Sequence, residues 1–394
     1  MILDKIKVLH IANSYGGTAV FKNMFQKLDE ISIQQTIFVP LNKDNRYRVG
    51  SHRIDFKEKK SQIIYNTSLS YFHKFLYTLK ISTIFNQIRK NVNVSGVNLV
   101  HASTLCLDGG AAYEIWKKYK IPYIISVRGT DVNFYYKKLF YKRSYFHKIL
   151  LNSSSIVFIS PSLKDEFIKQ IPQNIYDVVI KKIKIIPNGV DPIFSNNIVK
   201  PHRIDNPVKI LYCGGIQKNK NIHSTINAIG LLREKGFNIE YTIIGKGLSH
   251  RRTTQEYINE IDNYCNVNSW ISVKKSMSKE ELQNEISKYD IFVMPSFSET
   301  FGLAYVEALS QGIPIIYSNG QGFDGFFTDG FVGYGVDANN VNDISNKIKL
   351  IIENYTNICD NIAQLDFNQF DWVNIANTYK QLYLLSINEK IYGS

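Results

Sequence analysis

Short apolar runs recur along this chain, each followed by a polar, often glycine-bearing loop and then by a stretch with helical character. Residues 5–12, 33–40, 97–102, 122–127, 155–160 and 181–187 read as buried strands in the first half, and 208–213, 239–244, 271–273, 291–294 and 313–317 in the second. Strand alternating with helix predicts an α/β chain. Residues 61–91 read differently, as one or two helices carrying Tyr65, Tyr71, Phe72, Phe75, Tyr77 and Phe85. Packing of that aromatic stripe into a core is the expectation. Ser278 followed by Glu281 marks a capped helix start, and further helices are expected over 341–355 and 371–387.

A chain of 394 residues is too long for one ordinary core and suits two domains of about 180 to 200 residues each. The stretch around Pro201 reads as an exposed linker ahead of the second domain's first strand. No uncharged apolar run reaches the length of a membrane span. Asp4, just ahead of a strand pattern, argues against a signal peptide, so a cytoplasmic location is expected. Cys106, Cys213, Cys265 and Cys359 stand singly, which excludes a zinc ribbon and argues for reduced thiols.

The net charge of +13 is unevenly spread. Residues 1–200 hold 30 Lys and Arg against 13 Asp and Glu, whereas residues 201–394 hold 17 against 21. A basic first half fits nucleic acid, an anionic membrane face or an anionic lipid-linked substrate. With no zinc-finger spacing and no RNP-type strand, nucleic acid is not expected as a partner. Residues 133–151 interleave seven aromatics with Lys137, Lys138, Lys142, Arg143 and Lys148, and no acid stands between Asp131 and Asp165. Two readings stay open: a helix suited to the headgroup zone of an anionic membrane, or a solvated basic face over an aromatic core stripe.

Residues 289–325 concentrate the candidate chemistry. Strand, loop, helix and strand succeed one another, so the loop meets the helix at its N-terminus, where backbone N–H groups lack partners and the dipole is positive. Gly302 leaves room for a phosphate beside the amides of Phe301, Gly302 and Leu303. Glu299 and Glu307 bracket those donors. A carboxylate only accepts hydrogen bonds, so beside a diphosphate it must face hydroxyls or developing positive charge, and sugars supply both. The glycine-rich loop over 319–325 is a candidate second contact for an anion or a sugar.

At Glu299 to Glu307, with seven residues between two glutamates around a Phe-Gly-Leu turn, the sequence resembles the retaining glycosyltransferases of family 4, of the bacterial cell-surface polysaccharide type. The resemblance implies a GT-B fold, two Rossmann-like domains facing a central cleft. It places an acceptor-binding domain over 1–190, a nucleotide-sugar donor domain over 191–370, and over 371–394 a helix crossing back to the first domain. By that resemblance Glu307 holds ribose hydroxyls, Glu299 sits beside the donor sugar, and the amides of Phe301 to Leu303 take the distal phosphate. Lys220 falls where the family has a diphosphate-gripping lysine, but Gly215 stands where it has an arginine, so either Lys218 or Arg128 supplies that charge or the phosphate grip is weaker here. Gly245, Lys246 and Gly247 match a glycine turn near the donor, and Gly16 and Gly17 match the loop facing the donor phosphates. Read alone, Gly16-Gly17 is a tight turn.

Arg128 stands where the family commonly carries histidine; a guanidinium shuttles no proton but offers a fork to a phosphate or hydroxyl. Asp131 either accepts from an acceptor hydroxyl or caps the following helix. The implied reaction moves a sugar from a UDP- or GDP-linked donor to a saccharide or lipid-linked saccharide acceptor, with retention, in O-antigen, capsule or exopolysaccharide synthesis. Catalysis is assigned to Glu299, Lys220, Arg128 and Asp131, and Lys137, Lys138, Lys142 and Arg143 to an acceptor or membrane face. The placement that follows is cytoplasmic, with peripheral attachment to the inner face of the cell membrane. No cofactor or metal is expected, since no two aspartates lie two positions apart. A nucleotide-sugar hydrolase or epimerase, and a non-catalytic nucleotide-sugar-binding subunit, are the alternatives.

Overall fold

The computed structural model describes residues 5–246 and 252–392; Asp4 and Gly247, named above, lie outside them. The chain divides into two compact units. One comprises Met1–Ile159, Leu163–Gly189 and Trp372–Ser394, the other Ser160–Ser162 and Val190–Asp371.

The first unit is built on a parallel sheet of β1 (Lys7–Ile11), β2 (Gln34–Asn42), β3 (Gln62–Leu69), β4 (Leu99–Ala102), β5 (Tyr123–Val127), β6 (Ser155–Phe158) and β7 (Ile183–Ile185), ordered β3-β2-β1-β4-β5-β6-β7. Leu9 lies opposite Thr36 on one side and Val100 on the other. Central strands such as Tyr123–Val127 are buried along their whole length. That is why they read as unbroken apolar runs rather than alternating ones. The helix Ala19–Glu30 packs Phe21, Phe25 and Leu28 into this core, and the terminal helix Trp372–Tyr392 adds Trp372, Tyr379 and Tyr383.

The second unit repeats the plan with β8 (Val208–Cys213), β9 (Ile239–Ile244), β10 (Ile271–Lys274), β11 (Ile291–Val293), β12 (Ile315–Ser318) and β13 (Gly333–Val336), ordered β10-β9-β8-β11-β12-β13, all parallel. The two sheets and their helices make both units Rossmann-like. Each sheet reverses its strand order once, between β1 and β4 and between β8 and β11. Open α/β sheets bind ligands beyond the strand C-termini at such points.

Two expectations fail in the aromatic stretch. Residues 62–69 form β3, because Gln-Ile-Ile-Tyr-Asn-Thr-Ser-Leu carries β-branched residues that suit an edge strand; only Tyr77–Asn91 is a long helix. The stripe does not pack into the core as a whole: Tyr77 is buried, but Tyr71, Phe72 and Phe75 are exposed. A further strand, Gly333–Val336, was not legible, since Gly-Tyr-Gly-Val is short and carries little β propensity. Ser278 and Glu281 form the expected reciprocal cap of the helix Lys279–Ile286. No helix among the described residues is long and apolar enough to cross a membrane.

Candidate active site

The site in the second unit begins where β11 ends. The chain runs through Ser296–Phe301 to Gly302, which starts the helix Leu303–Ser310 with a φ of +83° and brings no side-chain cap. A Cβ there would lie 2.4 Å from the Tyr305 ring, which is pinned by its hydroxyl donating to the Met294 carbonyl at 2.6 Å. Glycine is thus required twice, for conformation and for space. Leu303 at the first turn is half-buried, and Phe301 is buried against Phe326 and Phe370.

Glu299 stands at the mouth of this loop with its side chain largely covered. One carboxylate oxygen accepts from Lys220 Nζ at 2.6 Å and the other from the Thr300 amide at 3.0 Å. The 319–325 loop supports it, since Gln321 Oε1 accepts from the Glu299 amide and the Glu299 carbonyl accepts from the Gly322 amide. Lys220 ends the turn Lys218–Lys220 after β8, and Lys218 beside it is exposed. The two asparagines of this region tie it to the glutamate loop. Asn219 Nδ2 donates to the Ser298 carbonyl at 2.7 Å, and the Asn219 carbonyl accepts from the Phe297 amide at 2.9 Å. Asn221, fully buried at φ +57°, donates from Nδ2 to the carbonyls of Pro295 and Ala338. Sequence reasoning passed over both; an asparagine just before a helix in a glycine-rich βα turn is the signal that could have marked Asn221, because Asn tolerates the left-handed conformation.

Glu307 lies one turn further into the helix, with its side chain 7% exposed, and pairs with Lys279. Lys279 is the first residue after the Ser278 cap and also lies over the Phe194 ring, 5.2 Å from its centroid. The sequence had marked Ser278 but not Lys279. Cys213, at the end of β8, faces the same spot: burial first, then the Glu307 carboxylate, push its thiol up to about 12, so it stays protonated at neutral pH. Gly245, at the end of β9, passes so close to the Gly214 carbonyl that a Cβ would fall 1.9 Å from that oxygen. The second unit therefore gathers Lys220, Glu299, Gly302 and Glu307 around the end of its sheet as two carboxylate–ammonium pairs beside an uncapped helix start. Such a place offers cationic and amide donors to an anion and carboxylate acceptors to hydroxyls.

The remaining candidates lie in the first unit. Arg128 donates from Nη1 to Asn188 Oδ1 at 3.0 Å and lies over the Phe21 ring, while its Nε is buried without a partner. Burial lowers its pKa, opposed by Tyr379 and Asp131. Asp131 does not cap the following helix. Its two oxygens accept from the amides of Leu105 at 3.0 Å, Cys106 at 2.8 Å and Arg128 at 3.0 Å, and it is fully buried. Those bonds occupy it with the backbone. Burial raises its pKa, and the same amides pull it back.

Gly16 and Gly17 form a single turn, Tyr15–Gly17, crossed by the Arg48 side chain. Gly17, but not Gly16, borders a groove of about 400 Å³ at the C-terminal ends of β1, β2 and β3, lined in part by Asn13, Asn42, Arg48, His73 and Lys80. Lys137 pairs with Glu166, Lys142 donates to Thr78, and Arg143 donates to the Tyr136 carbonyl. Lys138 is exposed. Among the described residues, no group of three or more His, Cys, Asp or Glu could hold a metal ion.

Residues 16–194 match the family model described as Glycosyltransferase Family 4, and residues 194–365 match that described as Glycosyl transferases group 1. An uncharacterized glycosyltransferase of Methanocaldococcus jannaschii is 26% identical over 303 residues, covering 75% of this chain and 77% of its own. The lipopolysaccharide 1,2-N-acetylglucosaminetransferase of Salmonella typhimurium is 23% identical over 58% of this chain and 62% of its own. HepE of Anabaena, solved in complex with UDP, superposes with a TM-score of 0.69 at 14% identity, over 96% of this chain and 99% of its own. With its two halves matched by two glycosyltransferase family models and its fold shared along nearly its whole length, this chain is a glycosyltransferase of the GT-B fold.

Proposed function

We propose that this glycosyltransferase moves a sugar from a UDP- or GDP-linked donor to a saccharide or lipid-linked saccharide acceptor, with retention at the anomeric carbon. The observation that carries the reading is the pairing of Glu299 with Lys220 and of Glu307 with Lys279 around the helix that Gly302 opens. Glu307 accepts from the ribose hydroxyls and displaces Lys279 toward the diphosphate. The Lys220 ammonium and the amides of Phe301 to Leu303 stabilise charge on the leaving diphosphate, in the role a metal fills elsewhere. Glu299, held by Lys220, accepts from a hydroxyl of the donor sugar and favours positive charge developing at its anomeric carbon. The second unit holds the donor, and the groove of the first unit bordered by Gly17, Arg48 and Lys80 receives the acceptor. The Salmonella relative, named for its action on lipopolysaccharide, supports a place in surface polysaccharide synthesis on the cytoplasmic side of the membrane.

The test is thermal stabilisation by a panel of UDP and GDP sugars, with wild type beside Glu307→Ala. A native-state ligand at a hundred times its dissociation constant adds about 2.7 kcal/mol of stability. One donor is expected to raise the melting temperature of wild type and to leave the variant unmoved. Stabilisation of both proteins alike would remove Glu307 from the donor site. Stabilisation with no turnover over a broad acceptor panel would favour a binding subunit, in line with Gly215 at the place of the family's arginine.

A further inference from the structure

We infer that the first unit carries a docking surface for an anionic lipid bilayer, built from two segments distant in sequence. The inference rests on the first unit alone and stands apart from the donor reading. One segment is the turn Tyr71–Lys74 with the start of the helix Tyr77–Asn91. It exposes Phe72 at 69%, Phe75 at 67% and Leu76 at 53%. The other runs through the short helical turns Asp131–Tyr135, Tyr136–Lys138 and Phe140–Lys142, exposing Phe140 at 68% and Tyr141 at 59% beside Lys137 and Lys138.

The segments lie side by side. Lys142 Nζ donates to Thr78 Oγ1 at 3.1 Å, and the Tyr77 ring meets Tyr145 and Phe146 edge-on at 6.1 and 5.6 Å between centroids. Buried anchors fix both: Tyr77 donates to the Cys106 carbonyl, and the Tyr136 hydroxyl bonds His147 Nε2 at 2.8 Å. The outward rings are therefore not core residues awaiting a partner within the unit. They project from an ordered base.

Charge selects the occupant. No Asp or Glu occurs from residue 59 to 107, nor from 132 to 164, and Asp131 at the start of the second segment is fully buried, so neither segment exposes an acid of its own while lysines flank the rings. Acids from outside the segments touch the margin of the patch: Glu166 pairs with Lys137 at 3.2 Å, and Glu114 accepts from the Tyr145 hydroxyl at 2.9 Å. Protein interfaces are poor in lysine at their centres, whereas exposed rings among lysines, with carboxylates only at the margin, match the headgroup layer of an anionic membrane. The same turn supplies His73, and the same helix Lys80, to the groove of the first unit, so an acceptor tethered in the bilayer would meet the groove at the membrane surface.

The experiment sediments the full chain at low salt with vesicles of phosphatidylcholine alone and of phosphatidylcholine with about one third phosphatidylglycerol. Pelleting is expected with the anionic vesicles only. Two variant sets, Phe72→Ser/Phe75→Ser/Phe140→Ser and Lys137→Gln/Lys138→Gln, are each expected to weaken partitioning by roughly tenfold or more. Their melting temperatures, read without lipid, show that the fold is kept. Absence of pelleting, equal pelleting on neutral vesicles, or pelleting untouched by the aromatic set would each overturn the proposal. Dimers in lipid-free solution that vanish with the aromatic set would assign the surface to a second copy and overturn it as well. Donor stabilisation, measured without vesicles, fails or succeeds separately.

Discussion

An acid follows a strand within a few residues in each unit, and the two acids serve opposite ends. Asp131, after β5, spends both oxygens on three backbone amides and is closed to solvent. Glu299, after β11, is held by a lysine and one neighbouring amide beyond the C-terminal ends of its unit's central strands. A carboxylate filled by backbone donors is a structural brace, and one balanced by a mobile ammonium can exchange that partner for a ligand. Position after a strand does not distinguish them; the identity of the donors does.

The hardest test of this contrast is Asp131→Ala. Three buried N–H groups lose their acceptor, and at about 1 to 3 kcal/mol for an orphaned group the loss, softened by relaxation, comes to about 3 to 5 kcal/mol in urea unfolding. Nucleotide-sugar stabilisation of the protein that remains folded should be unchanged. If instead Asp131→Ala keeps its stability and loses turnover, the brace reading is broken.

Glu299→Gln should show the reverse pattern, with little change in stability but a fall in kcat of about a hundredfold or more, and donor binding kept. Equal loss of binding and turnover would mean that Glu299 only holds the donor.

Another contrast lies in the imidazoles of the first unit. His10 is fully buried between Phe25 and His101 with neither ring nitrogen bonded, and burial pushes its pKa down to about 3. His101, bonded to Tyr383 and Ser126, is lowered too, by burial first and then by His10 and Arg128. Between the unfolded value of 6.5 and the folded value of about 3, His10 takes up a proton only when the chain unfolds. Its contribution is therefore held above pH 6.5 and is lost as pH falls toward 3, by up to about 1.4 kcal/mol per pH unit. Asp108 acts oppositely, because burial raises its pKa to about 7, so its contribution is lost as pH rises from 3.8. His10→Phe should flatten the acid loss of stability in denaturant titrations between pH 6.5 and 4. An unchanged slope would show that His10 is not the titrating group.

Smallest is Asn221→Gly, which keeps the left-handed backbone but strips the carbonyls of Pro295 and Ala338 of their donor. A loss of about 2 kcal/mol is expected, with weaker donor stabilisation as the lysine turn loosens from the glutamate loop.

Much of this was legible beforehand because it is local. Apolar runs marked eleven of the thirteen strands among the described residues, most of them central strands, since a strand buried on both faces has to be apolar along its length. Both exceptions are sheet-edge strands, Gln62–Leu69 with polar Asn66, Thr67 and Ser68 and Gly333–Val336 with two glycines. The glutamate pair around Gly302 was visible for the same reason, as one turn and one helix hold it. Its counter-charges were less so. Lys220 was marked only by the family resemblance, and Lys279, 28 residues before Glu307, not at all.

The alternation of strand and helix, the capped helix start, the glycine turn and the lysine-rich, acid-poor character of the first half are all written in the chain itself. Each follows from chemistry within a few neighbouring residues. Which groups meet was settled by packing across the fold: Asp131 faces three amides rather than solvent, Glu307 meets Lys279, and Phe72 and Phe140 point outward while Tyr77 and Tyr136 point in. Such outcomes depend on which strands become neighbours, and helical spacing fixes which residues share a face without fixing which face finds a core.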